Sequence, residues 1–152
     1  MKNTNIIVVA AMTLWGLAAR AQETPIHWSY SAEKRSDRSY VLHFIATMDK
    51  GWHIYAQLQP KEAVATPTQI SFDKNPLLSM EGRPIEIGEK KKYEGHIIHI
   101  VQYQYEDRVE FVARVTLKAK VKMNVTGNIT FQVCTDERCL PPETRAFSVA
   151  LP

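Results

Sequence analysis

Two segments alternate apolar and polar residues with a period of two, and this alternation limits the fold more than any other feature of the chain. In "SYVLHFIATM" the side chains of Tyr40, Leu42, Phe44, Ala46 and Met48 share one face. In "RVEFVARVTL" the same holds for Val109, Phe111, Ala113, Val115 and Leu117. Successive side chains of a strand point to opposite faces, so both segments read as half-buried strands. Further candidates are "IHWSYSA" (26–32), "GWHIYAQ" (51–57), "TQISF" (68–72), "RPIEI" (83–87), "HIIHIVQYQY" (96–105), "GNITFQV" (127–133) and "AFSVAL" (146–151). Turn-rich pieces such as "EKRSD", "MDKG", "DKNP" and "TGN" separate them. About nine short strands in roughly 130 residues predict an all-β antiparallel sandwich or barrel. "QPKEAVATP" reads as a loop, and so does "GEKKKYEGH", with Tyr93 and Gly95 near its tip. A lone aromatic there most simply packs on its own hairpin.

With 152 residues, 45% hydrophobic and 23% charged, the chain has the size and composition of one domain around one core. The N-terminus carries Lys2, an apolar run from Ile6 to Ala19, and Ala19-Arg20-Ala21, an A-x-A-like cleavage site. This pattern predicts a signal peptide over 1–21 and a mature domain over 22–152, because the run is shorter than the ~20 apolar residues of a spanning helix. The expected product is exported and soluble, with no membrane insertion after cleavage. Without Lys2 and Arg20 the 19 basic residues fall to 17 against 16 acidic ones. "EKKKYEG" is then one short basic run on a mixed surface, which argues against nucleic acid as a partner.

Both cysteines stand in "FQVCTDERCLPPE", with four residues between Cys134 and Cys139. Export permits a disulfide, and an even count favours internal pairing. The prolines at 141 and 142 cannot donate to a sheet ladder, so "CTDERC" must turn between a strand and its interruption. A ring this small stabilises a fold by only about 2 kcal/mol in the chain-entropy model, which weakens a purely structural role. Tetrahedral zinc would need two further ligands from His27, His43, His53, His96 and His99, which lie scattered along strand patterns. Redox switch, structural staple and metal site therefore all stay open on the residues alone, the metal site being the weakest of the three. Arg138 beside Cys139 favours a thiolate, and Asp136 and Glu137 oppose it.

"GWHIYAQ", "PTQISF", "KYEGH" and "VCTDERCLPPETRAFSVAL", in that order and spacing, resemble the periplasmic N-terminal domain of the DsbD thiol:disulfide interchange proteins. The resemblance runs from about Ile26 to Leu151. It implies an immunoglobulin-like β-sandwich with an active-site insertion that relays reducing equivalents in the periplasm. The partners it implies are thioredoxin-fold redox proteins and a membrane electron-donor protein, met transiently, with no organic cofactor and no metal. By the same resemblance Cys139 forms mixed disulfides with partners and Cys134 resolves them. Tyr93 and Gly95 match a cap that shields the cysteines, and Trp52 and Tyr55 match a segment flanking the site. Two departures stand out. Lys91 and Lys92 precede the cap aromatic where better-known members carry acids, and lysines favour a thiolate. The sequence also ends at Pro152, so the membrane and thioredoxin-like domains are expected on other proteins. The other reading is a non-catalytic interaction module with a structural disulfide.

Overall fold

The computed structural model describes residues 24–95 and 99–152. The expected signal peptide and His96 lie outside the described residues. Among these, twelve strands form: β1 (Ile26–Lys34), β2 (Ser39–Met48), β3 (His53–Tyr55), β4 (Gln69–Phe72), β5 (Leu78–Met80), β6 (Ile85–Ile87), β7 (Lys90–Gly95), β8 (Ile100–Glu106), β9 (Arg108–Leu117), β10 (Asn124–Phe131), β11 (Val133–Cys134) and β12 (Glu143–Ala150). Every pairing is antiparallel.

The strands make three sheets. The first has the order β1-β2-β9, with β5 and β6 both on the far edge of β9; the second runs β12-β10-β4 and the third β11-β3-β8-β7. Between β5 and β6 the chain breaks step at Gly82, whose φ of 68° suits a residue without Cβ. One edge strand is thereby split in two.

The alternation read from the sequence decides which faces meet. Leu42, Phe44, Ala46, Val109, Phe111, Ala113 and Val115 are all buried toward the second sheet, whose Val125, Ile129, Phe131, Phe147 and Val149 face back. Phe44 lies 4.8 Å from Phe147 and 6.0 Å from Phe72 between ring centroids, in edge-on contacts that join the two layers. Gly127 makes room for this packing, since a Cβ there would stand 2.1 Å from the Ser71 carbonyl oxygen. The result is the sandwich the strand pattern predicts.

One expectation fails. Lys90–Gly95, read as a loop, is strand β7, paired with β8 from Lys90↔Tyr105 to Gly95↔Ile100. Its residues are nearly all exposed, so no apolar alternation marks it. It is an edge strand held by backbone hydrogen bonds to β8, and its lysines are the kind of residue that keeps an open edge from pairing further.

Candidate functional site

Register alone gathers the site. In the third sheet Cys134 pairs with His53, His53 with Glu106, Tyr55 with Gln104, Lys91 with Gln104 and Tyr93 with Gln102. Paired residues of antiparallel strands share a face, and so do residues two apart. Cys134, His53, Tyr55, Gln102, Gln104 and Tyr93 are therefore one surface. Ile54, Val133 and Tyr105 on the other face join the core.

After β11 the chain turns back on itself. Thr135 N–H donates to the Arg138 carbonyl at 2.7 Å, and Leu140 N–H donates to the Val133 carbonyl at 2.9 Å. The Thr135 hydroxyl oxygen accepts from the N–H groups of Glu137 (3.2 Å) and Arg138 (3.1 Å), a side-chain turn that explains why "TDER" bends here. These bonds make Cys134 and Cys139 a non-hydrogen-bonded pair, the closer kind, with Cα atoms 4.0 Å apart. The two sulfurs form a disulfide.

The two cysteines differ sharply in access. Cys134 is fully buried, whereas Cys139 is exposed. Cys139 opens on a cleft of about 470 Å³ whose walls include His53, Tyr55, Tyr93, Gln102 and Val64. The Tyr55 hydroxyl lies 4.0 Å from Cys139 Sγ, and His53 Nε2 lies 3.2 Å from that hydroxyl. Both side chains are buried. Burial lowers the His53 pKa, against the pull of Asp136 and Glu106, and burial raises that of the Tyr55 phenol. At neutral pH the histidine is uncharged and the phenol keeps its proton.

Tyr93 stands at the mouth of the cleft, 44% exposed. Gly95 ends β7 beside it, with its Cβ position 3.6 Å from the Tyr93 ring and from Ile100. Trp52 does not line this cleft. It lies in a neighbouring groove with Leu140 and Pro141, stacked under Arg138 at 5.2 Å, and Arg138 is the wall common to both. The structure thus brings Tyr55 and Tyr93 to Cys139 and sets Trp52 behind the hairpin.

The lysines expected to favour a thiolate have other partners. Lys91 Nζ lies 2.7 Å from Glu106, and Lys92 pairs with Glu94. Neither lines the cleft. Among the described residues no group of three or more His, Cys, Asp or Glu side chains is placed to hold a metal ion. His43 lies 2.6 Å from Glu110 and His27 3.8 Å from Asp49, and neither lines the cleft.

Sequence reasoning passed over His53 except as a metal ligand, and it passed over Gln102, Gln104 and Val64 entirely. Gln102 Oε1 accepts from the N–H groups of Val64 (3.1 Å) and Ala65 (3.0 Å), pinning the "QPKEAVATP" loop over the cleft. Alternation in "VQYQY" does put Gln102 and Gln104 on one face. Only the pairing with β3 and β7 reveals that this face is buried.

An antiparallel sandwich carrying a half-exposed hairpin disulfide defines a class of redox-capable β-domains. The sequence pattern described as "Thiol:disulfide interchange protein DsbD, N-terminal" matches residues 19–151, and the chain belongs to that family. Its fold is the immunoglobulin-like β-sandwich that the resemblance implied. Similar solved structures include the N-terminal periplasmic domain of ScsB from Proteus mirabilis, with a TM-score of 0.53 at 16% identity over 83% of this chain and 44% of that one. The complex between the DsbD N-terminal and PilB N-terminal domains from Neisseria meningitidis gives 0.50 at 17% identity, over 86% of this chain and 87% of that one. The reduced DsbD N-terminal domain from Neisseria meningitidis gives 0.46 at 17%, over 76% and 78%. No curated protein matches the chain. Among the described residues no helix is long and apolar enough to cross a membrane.

Proposed function

We propose that this domain relays reducing equivalents in the cell envelope by exchanging the Cys134–Cys139 disulfide with partner proteins. The observation that carries the reading is the difference in access: Cys139 is exposed at a cleft and Cys134 is buried behind it. A partner sulfur reaches Cys139 first. Cys139 forms the mixed disulfide, and Cys134 resolves it by closing the internal bond. Tyr93 and Gly95 form the cap over the cleft and Tyr55 flanks Cys139, while Trp52 acts from behind the hairpin, under Arg138. The partners are thioredoxin-fold proteins and a membrane electron donor, and the compartment is the periplasm, reached through the signal peptide at 1–21. A complex of a DsbD N-terminal with a PilB N-terminal domain supports a protein partner of this kind.

Equilibration of the purified domain with thioredoxin or glutathione buffers tests the reading. Structural disulfides typically lie below about −300 mV and exchange-competent pairs above it. A disulfide that stays closed across the series makes the domain a non-catalytic interaction module instead. Roles are tested by trapping: Cys134→Ala accumulates mixed disulfides with a thioredoxin-fold partner, and Cys139→Ala accumulates far fewer. Equal trapping overturns the assignment.

A further inference from the structure

Beneath the exposed sulfur lies a short chain of polar groups that the exchange of one disulfide for another does not by itself require. It runs from His53 Nε2 to the Tyr55 hydroxyl (3.2 Å) and from that hydroxyl to Cys139 Sγ (4.0 Å). The side chains are 5% and 3% exposed, so water competes weakly for either. A hydroxyl has one proton. The Gln102 side chain also bonds this phenol, and since its Oε1 is taken by the Val64 and Ala65 N–H groups it does so as a donor, so the Tyr55 proton goes either to His53 or to sulfur.

We propose that His53 is a positioning residue for Cys139: its Nε2–H donates to the Tyr55 oxygen and so turns the Tyr55 proton toward sulfur, where it hydrogen-bonds the Cys139 thiolate. This deepens, and rests on, the exchange reading above. In the disulfide, sulfur is a weak acceptor and the 4.0 Å contact is long. In the thiolate it carries a full charge, and contacts of this kind shorten when the reactive state forms. Raised by burial, the phenol pKa keeps Tyr55 a donor throughout.

The sequence of bonds is balanced without proton transfer from Tyr55. Cys139 thiolate attacks one sulfur of the partner disulfide; the new bond forms as the partner bond breaks, and the electron pair leaves on the second partner sulfur. Cys134 thiolate then attacks Cys139 Sγ, the internal disulfide forms, and the first partner sulfur leaves as a thiolate. The partner gains two electrons, this pair loses two, and the protons given up by the two cysteines end on the partner thiolates. Tyr55 acts where Cys139 is anionic, before the first attack and after the reverse reaction.

Cys134→Ala leaves Cys139 as the only thiol, and the pH dependence of its alkylation by iodoacetamide reads its ionisation. Adding Tyr55→Phe should raise the midpoint by about one pH unit, the size of one hydrogen bond to a charged group in a partly open site. His53→Ala should raise it in the same direction, and His53→Gln, which keeps an N–H donor, should restore it. A midpoint unmoved by Tyr55→Phe, or by His53→Ala, overturns the proposal. The other groups facing the chain are Glu106 and Asp136 at His53 and Gln102, Tyr93 and Asp136 at Tyr55, with Glu137 and Arg138 along the cleft, and all stay constant across the variants. Because β3 is buried, the unsubstituted reduced domain gives a second measurement that no folding defect can blur. The His53 ring nitrogen resonances should shift through the Cys139 midpoint, and resonances that do not shift there overturn the proposal. None of these readouts involves a partner. If the intact disulfide resists thioredoxin while the midpoints move as stated, the relay fails and the role of His53 stands.

Discussion

Replacing Glu86 by glutamine should loosen the junction between the sandwich and the cysteine-bearing sheet. Glu86 stands on β6, and only 9% of its side chain is exposed. Its Oε1 accepts from the Gln57 backbone N–H at 2.6 Å, and its Oε2 accepts from the Tyr105 hydroxyl and Lys90 Nζ, both at 2.8 Å. Three segments converge on it: the chain leaving β3, the end of β8 at Tyr105 and the first residue of β7. Burial by itself raises the Glu86 pKa, but the bonds from Gln57, Lys90 and Tyr105 outweigh it, and the net shift is downward from 4.5. A carboxylate lowered in the folded state adds stability above its unfolded pKa and loses it as pH falls through the folded one. Glutamine keeps one acceptor oxygen and gives up a charge-assisted bond, so the cost at pH 7 is about 2 kcal/mol. Urea unfolding at pH 7 and at pH 3 measures it. The difference between Glu86→Gln and the parent should be about 2 kcal/mol at pH 7 and smaller at pH 3, because the carboxylate's contribution fades as pH falls through its lowered native pKa. A difference under about 0.5 kcal/mol at pH 7, or one that does not change with pH, refutes the reasoning.

Other positions give sharper yes-or-no outcomes. Gly127→Ala drives a Cβ to 2.1 Å from the Ser71 carbonyl, backbone against backbone, and should cost more than about 3 kcal/mol in thermal or urea unfolding; an unchanged midpoint would show that β4 and β10 lie further apart. Lys91→Gln and Lys92→Gln should each move the Cys139 alkylation midpoint in a Cys134→Ala background by less than about half a unit, because exposed ion pairs are weak and these two lie off the cleft. Tyr93→Ala should speed reduction of the disulfide by glutathione on the order of tenfold, equivalent to about 1.4 kcal/mol of barrier, while Tyr93→Phe leaves the rate alone. Equal rates for Tyr93→Ala and the parent remove its shielding role.

What the sequence made legible was whatever local periodicity encodes. The faces of β2 and β9 were readable residue by residue, since a strand buried on one side writes that burial into its alternation. Strand β7 was not readable, because "KKKYEG" buries almost nothing and its support comes from a ladder to β8 some ten residues further along and from ion pairs of Lys90 and Lys91 with Glu86 and Glu106. Strand β5 was lost for a similar reason, being three residues after a turn. At the site, the cysteines announced themselves by type and spacing. His53 did not announce its neighbours. Its meeting with Cys134 and Glu106, and through Tyr55 with Cys139, follows from how β3 sits between β11 and β8, a non-local register that no window of the sequence contains.

That register also bears on why so small a disulfide ring suits exchange better than stapling. The hairpin is closed by Thr135 N–H to Arg138 and Leu140 N–H to Val133 independently of the sulfurs. Cys134 is fixed further by pairing of β11 with β3, and Gln132 Nε2 donates to the Leu140 carbonyl at 3.0 Å. Opening the S–S bond should therefore leave both backbones in place, with the two thiols still facing neighbours in a non-hydrogen-bonded pair. In the proposed relay, a Cys134 thiol held this way would attack as an intramolecular group, with an effective concentration far above that of any free thiol in solution. A bond whose loss the backbone does not feel contributes little as a brace. The same geometry lets it break and re-form without refolding anything around it.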